Sequence, residues 1–146
     1  MFTKNSEQLF KDRLHAAGER VTSPRLVIFR MLVRHAPLSM PQIIQNALAD
    51  SIDKVTVYRT VELLRRLDLV QEVGLGRNRL FELGDTLHAH HHHLTCTECG
   101  KVIDFDNETI EADLQSVGKQ LGFDITSHQL EASGVCSACG LKTTAS

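Results

Sequence analysis

The sequence predicts an α+β protein in two parts, a mainly helical first part closed by a short β-hairpin and a small α/β second part pinned by four cysteines. Three observations lead there. Apolar residues recur at helical spacing through four successive segments of the first half. Two short strand-like runs follow them. The second half then carries a dense histidine run and two Cys-x-x-Cys pairs, Cys96/Cys99 and Cys136/Cys139.

Size and charge bound the possibilities before any motif is considered. A chain of 146 residues can bury one moderate core or two small ones. Its net charge of −2 hides an asymmetry: residues 1–83 carry 13 Lys and Arg against 9 Asp and Glu, a net of +4, and residues 84–146 carry 3 against 9, a net of −6. A basic half suits a polyanion, and an acidic half rich in His and Cys suits cations. No apolar run approaches membrane-spanning length and the first residues lack a signal-peptide pattern, so a cytoplasmic location with reduced thiols is expected and no membrane partner is.

Residues 6–17 place Leu9, Phe10 and Leu14 at helical spacing, with Gly18 as a stop. Ser23-Pro24 reads as a cap and first-turn proline for a second helix that buries Leu26, Phe29, Leu32 and Val33. Ser39 and Gln42 form an S-x-x-Q capping box for a third helix, with Ile43, Ile44, Ala47 and Leu48 as its apolar stripe. Lys54 to Leu67 is a fourth, turning Val57, Val61 and Leu64 inward and Arg59 and Arg66 outward, with Tyr58 to one side. Strands at Val70–Val73 and Arg79–Leu83, joined by Gly74-Leu75-Gly76-Arg77-Asn78, complete a winged helix. In that arrangement the last helix fits a DNA major groove while Arg77 and Arg79 on the hairpin reach the backbone or minor groove. A small helical domain with a solvated basic face is the plainer alternative.

Gly84-Asp85-Thr86-Leu87 is the expected hinge, dividing a domain at 1–83 from one at 88–146. Beyond it, Lys101–Phe105 alternates as a strand, Asp106-Asn107 caps a helix from Thr109 to Leu121 with Ile110, Leu114, Val117 and Leu121 on one face, and Phe123–Glu131 reads as another strand. Disorder is expected only from Lys142 onward.

The chemistry concentrates between His88 and Gly100, which hold five of the eight histidines and half of the four cysteines. Each Cys-x-x-Cys pair is a knuckle followed by a glycine, Gly100 or Gly140, and four thiolates suit a closed tetrahedral Zn2+ site with no open position for catalysis. Two disulfides or a redox pair would use the same spacing, but no secretory signal or thioredoxin-like context accompanies them. The histidine run is internal and bracketed by Leu87 and Leu94, unlike a purification tag. In an extended strand His90 and His92 face one way and His91 and His93 the other, so one strand can serve two sites. A solvated strand with idle imidazoles is the rival.

With both halves placed, the chain resembles the ferric uptake regulator family of metal-dependent repressors. The resemblance runs through Val21-Thr22-Ser23-Pro24-Arg25, Thr56-Val57-Tyr58-Arg59, Phe81-Glu82-Leu83, His90-His91-His92-His93-Leu94-Thr95-Cys96, Cys99-Gly100-Lys101-Val102-Ile103, Ile125-Thr126-Ser127-His128 and the last cysteine pair. It implies an N-terminal winged-helix DNA-binding domain, a C-terminal α/β dimerisation domain, and a homodimer that binds a palindromic, AT-rich operator when a regulatory metal is loaded.

Carried over by position, the resemblance implies a regulatory metal at Glu82, His91, His93 and Asp104, and a second metal site at His90, His92, Glu111 and His128. It places Arg20 as a minor-groove contact and Thr56, Tyr58 and Arg59 on the recognition helix, with Arg77 on the wing. The regulatory ion would be Fe2+, Zn2+, Mn2+ or Ni2+, since imidazole and carboxylate ligands discriminate little among them. Several positions depart from the common pattern: Pro37 stands where many members have a histidine, with His35 two residues away, and His92 stands where Asp is frequent. Asp104 is the residue often found in peroxide-sensing members, so a peroxide-responsive regulator stays open beside a metal-responsive one. A metalloenzyme is not expected, because no small-molecule substrate scaffold and no general base outside the ligands is evident; a purely structural zinc interaction module is the blander alternative.

Overall fold

The computed structural model describes residues 4–74, 77, 79–87 and 89–143. They divide into two compact units, Met1–Ala89 and His90–Ser146.

The first unit is a winged helix. Helices α1 (Lys4–Ala16), α2 (Ser23–His35), α3 (Met40–Ala49) and α4 (Lys54–Arg66) pack with strands β1 (Leu38–Ser39), β2 (Val70–Val73) and β3 (Leu80–Leu83), which form a three-stranded antiparallel sheet in the order β1-β3-β2. Its core is apolar. Phe10 of α1 stacks on Phe29 of α2 with ring centroids 4.4 Å apart, and Leu14, Leu32, Ile43, Val57 and Leu64 are fully buried around them. Each such side chain contributes about 1.5–3 kcal/mol of burial. Arg30 of α2 grips Glu7 of α1 through two bonds of 3.0 Å, and with Lys11 it holds the Glu7 carboxyl down to about 2.

Local caps settle where the helices begin. Ser39 and Gln42 make the reciprocal capping box that starts α3. Asp53 caps α4 by accepting from the Thr56 amide at 3.0 Å and the Thr56 hydroxyl at 2.6 Å. Ser23, expected as the cap of α2, is instead its first residue; Thr22 occupies the cap position in an extended conformation and its side chain makes no capping bond. Leu9 and Leu48, expected on apolar stripes, are 40% and 59% exposed, because the neighbouring Phe10 and Ala47 already fill the contacts to the core. Strand β1 had no sequence signal, being only two residues whose partner, β3, lies some forty residues away.

The stretch Gly84–Leu87, expected as a hinge, is fastened to this first unit: the Gly84 amide donates to the Leu69 carbonyl at 3.0 Å, and Leu87 joins the apolar core. Gly84 sits so close to the chain that a Cβ there would lie 2.3 Å from the Asp68 carbonyl oxygen. His88, and Leu75, Gly76 and Asn78 of the hairpin tip, lie outside the described residues.

The second unit has a different physical basis. Strands β4 (His92–Cys96), β5 (Val102–Phe105) and β6 (Glu131–Gly134) form a sheet in the order β5-β4-β6, antiparallel between β4 and β5 and parallel between β4 and β6. Helix α5 (Glu108–Leu121) is capped at one end by Asn107, whose side chain accepts from the Thr109 and Ile110 amides, and closed at the other by Gly122 at φ 77°. Helix α6 (Ser137–Thr143) ends the described chain.

Several expectations are corrected here. Phe123–Glu131 is not a strand: the Phe123 amide donates to the Gly118 carbonyl at 2.8 Å and the Gln115 side chain to the Ile125 carbonyl at 3.2 Å, which binds this stretch to α5. The strand begins only at Glu131. Lys142 and Thr143, expected to be disordered, belong to α6, and residues 144–146 lie outside the described residues. Val117 and Leu121, expected on one apolar face of α5, are 49% and 69% exposed. Among the described residues the buried apolar cluster lies wholly in the first unit.

Replacing Gly84 by alanine is expected to destabilise the first unit by about 1–3 kcal/mol, since a methyl group must displace backbone atoms rather than a flexible side chain. Urea unfolding monitored by circular dichroism reads that loss directly.

Candidate metal centres and nucleic-acid face

The four cysteines converge. Cys96 ends β4, Cys99 follows in the turn, Cys136 precedes α6 and Cys139 lies within it, and their sulfurs all lie within 4.8 Å of one another as thiols without disulfides. Both knuckles fold alike: the Gly100 amide donates to the Cys96 carbonyl and the Gly140 amide to the Cys136 carbonyl, each at 2.9 Å. The Cys99 and Cys136 sulfurs are 3.9 Å apart, close to the ~3.8 Å edge of a tetrahedron with zinc–sulfur bonds of ~2.3 Å.

Electrostatics asks for a cation here. The Cys136 and Cys99 amides point at the Cys96 sulfur and bring its thiol down to about 6. Cys139, crowded by the sulfurs of Cys136 and Cys99, is pushed up to about 12. Four such groups do not share negative charge readily without a positive ion among them, so the donor set fits Zn2+.

A second group of donors uses one side of the histidine run. Glu111 on α5 offers Oε1 to His92 Nε2 at 2.7 Å, to His128 Nε2 at 3.1 Å and to His90 Nε2 at 3.5 Å, and His90 and His128 meet at 3.0 Å. These spacings bracket the ~3.3 Å edge of a tetrahedron with bonds of ~2.0 Å, which suits a late transition ion. Burial raises the Glu111 carboxyl, but the hydrogen bond from His92 and the nearness of His128 outweigh it and leave the group below its usual value. His92 is 1% exposed and packs against Phe105, so its ring is held by the sheet as well as by Glu111.

The opposite face carries His91, His93 and Asp104, whose donor atoms also lie within 4.8 Å of one another. The strand register accounts for the pairing: His93 of β4 stands opposite Asp104 of β5, with Nε2 3.8 Å from the carboxylate. His91 lies just before β4 and its ring meets that of His93 at 4.8 Å. Glu82, in the first unit, is a buried carboxylate on β3 that accepts from the Gln71 side chain at 2.7 Å. His35, at the end of α2, joins no donor cluster among the described residues.

Exposed cations of the first unit include Lys54, Arg59 and Arg66 on α4 and Arg77 and Arg79 on the hairpin. Tyr58 and Arg59 are exposed, and the Lys54 ammonium lies 5.8 Å from the Tyr58 ring. The Thr56 hydroxyl donates to the Asp53 cap at the start of α4. Arg20 is exposed in the loop before α2, where its carbonyl accepts from the Arg25 guanidinium, and Arg77 is exposed on the hairpin turn. Arg79, expected to reach DNA, is bound across the hairpin by Glu72 with bonds of 2.5 and 2.7 Å. Glu72 also stands 3.5 Å from Arg65 of α4, a link between residues distant in sequence that no motif announces.

The sequence pattern of the ferric uptake regulator family matches residues 16–133. The chain belongs to the ferric uptake regulator family. It is 33% identical over 136 residues to the ferric uptake regulation protein of Campylobacter jejuni, covering 89% of this chain and 85% of that one. The crystal structure of the Vibrio cholerae ferric uptake regulator superposes with a TM-score of 0.70 at 28% identity, covering 86% of this chain and 98% of the other. The Campylobacter jejuni peroxide stress regulator, at 19% identity and a TM-score of 0.64 over 77% of this chain and 98% of its own, shares the fold. Members of the ferric uptake regulator family are metal-responsive transcription regulators that bind DNA as dimers, not enzymes.

Replacing Cys139 by serine is expected to remove one equivalent of tightly held zinc per chain in elemental analysis. The unfolding transition of the first unit should persist, since its apolar core contains none of the four sulfurs.

Proposed function

We propose that this chain is a metal-responsive repressor of metal-homeostasis genes, acting in the cytoplasm as a homodimer on a palindromic, AT-rich operator. The regulatory divalent cation is held by His91, His93 and Asp104 of the second unit together with Glu82 of the first, and Cys96, Cys99, Cys136 and Cys139 hold a structural Zn2+. The observation that carries this is the division of four consecutive histidines into two donor groups on opposite sides of β4. A structural zinc module would have no use for either group.

Bound in the regulatory site, a divalent cation supplies a point of positive charge that imidazole and carboxylate groups from both units can share. His91, His93 and Asp104 are positioned by β4 and β5, and Glu82 by β3, so that holding one ion in common favours one relative orientation of the units. In the dimer that orientation sets the spacing of two α4 helices on the duplex. A coupling of this kind is typically of order 1–3 kcal/mol, or roughly 5- to 150-fold in DNA affinity. The exposed apolar side chains of the second unit, among them Leu121 and Phe123 at 69% and 71% exposure, support dimerisation through that unit.

Iron, zinc, manganese and nickel all suit such ligands, and availability selects among them. Asp104 in place of a glutamate favours one further reading, a regulator that releases DNA on exposure to peroxide. Operator titration with each ion, before and after peroxide treatment, separates the two: a metal regulator keeps its affinity after treatment and a peroxide sensor loses it.

The double variant His91→Ala with His93→Ala is expected to remain a zinc-containing dimer by light scattering and elemental analysis, yet to lose metal-stimulated operator binding. Metal-dependent affinity surviving in that variant would sink the assignment. Arg59→Ala should leave metal content unchanged and reduce the salt dependence of operator binding by about 0.9 in the log–log slope for each phosphate that is no longer neutralised.

A further inference from the structure

Between α4 and the β2–β3 hairpin lies a groove of about 710 Å3 whose lining includes Tyr58 and five arginines: Arg25, Arg59, Arg65, Arg66 and Arg79. If the groove faces duplex DNA, as the proposed function requires, five cations per chain would press on its phosphates. Three of the five are already spoken for. Arg25 pairs with Glu19 at 2.9 Å, Arg65 with Glu62 at 3.2 Å, and Arg79 with Glu72 through a two-bond fork. Arg59 and Arg66 enter no ion pair among the described residues.

Glu72 stands apart from the other two carboxylates because it serves both walls of the groove. It sits on β2, opposite Phe81 of β3, with its side chain 26% exposed, and it receives Arg79 from the hairpin while lying 3.5 Å from Arg65 of α4. Exposed ion pairs of this kind add little to folding, so stability does not explain the arrangement. We propose that Glu72 is a built-in counter-ion that withholds Arg65 and Arg79 from phosphates, keeping the grip on arbitrary duplex weak and leaving sequence discrimination to the rest of α4.

The physical consequence concerns the ratio of specific to non-specific binding. Affinity for any duplex grows with the number of phosphates neutralised, because each releases bound counterions, and this part of the affinity carries no sequence information. An arginine already forked onto a carboxylate must break two short bonds to reach a phosphate, and the carboxylate repels that phosphate. Removing the carboxylate converts such an arginine into a sequence-blind grip on the backbone.

The test uses the full-length chain with Mn2+ added, titrated by fluorescence anisotropy against a random-sequence duplex and against an operator selected from a randomised pool, across a salt series. Glu72→Gln is expected to bind random duplex at least fivefold more tightly than wild type. Its log–log salt slope should steepen by about 0.9 for each arginine released, and its preference for the operator should shrink; Glu72→Asp should stay near wild type. Adding Arg79→Gln to the Glu72→Gln variant should return about one arginine's share of the slope. Arg79→Gln alone should leave the slope unchanged, a result that stays informative even if Glu72→Gln folds poorly. Glu72→Gln binding random duplex no better than wild type, or Arg79→Gln alone flattening the slope, overturns the counter-ion role. Wild-type protein with no metal-stimulated operator binding would overturn the regulator itself, a separate result from either of these.

Discussion

Successive side chains of a β-strand point to opposite faces, and at His92 and His93, the first two residues of β4, that rule sends one imidazole to each donor set of the second unit. His90 and His92 meet Glu111 and His128 on one side, while His91 and His93 meet Asp104 on the other. Four adjacent residues of one segment thus contribute to two donor sets without either set borrowing from the other. A helix could not divide consecutive residues in this way, because its neighbours are separated by about 100° rather than by half a turn. Shifting the strand by one residue would exchange the two sets and separate both from their carboxylates, so the register of β4 against β5 is where the two donor sets are decided.

The two units differ in what holds them together. In the first, Phe10, Leu14, Ile28, Leu64 and their neighbours form a closed apolar core that would stabilise a small domain unaided. In the second, the most buried side chains include His92, His93, Thr95 and Cys96, groups that cost free energy to bury unless they are hydrogen-bonded or hold a cation. A unit of that size with its apolar residues facing outward needs other supports, and thiolate–metal bonds and a partner surface are the two its residues can supply. On the proposed function, sensing metal and being folded by metal would be neighbouring properties of one unit.

What could be read from the sequence is what local interactions determine. The Ser39–Gln42 capping box, the inward stripe Val57, Val61 and Leu64, the Asn107 cap and the sorting of the histidines all depend on residues within one or two turns of each other, and each is visible as spacing. What could not be read depends on partners distant in the chain. The parallel pairing of β6 with β4 and the two-residue β1 have no local signature. The exposure of Val117 and Leu121 followed the same logic in reverse: helical periodicity identifies an apolar face but not what covers it. Arg79 was legible as a cation beside a turn, and only the cross-strand carboxylate of Glu72 shows how it is occupied.

A switch that works by geometry demands restraint in the part being switched. If a winged helix gripped any duplex through charge alone, its affinity would barely depend on how the second unit held it, and a bound cation would have little to change. The first unit is only mildly basic, with a net charge of +4 over residues 1–83, and within its arginine-lined groove three of five guanidiniums are paired with carboxylates. Such a unit gains useful affinity chiefly when two copies engage two half-sites together, since the second engagement then occurs at a high effective concentration. That gain vanishes when the spacing is wrong. On the proposed function, weak electrostatics in each copy would thus make the dimer's affinity sensitive to how its two copies are held, and a regulatory cation would act through that sensitivity.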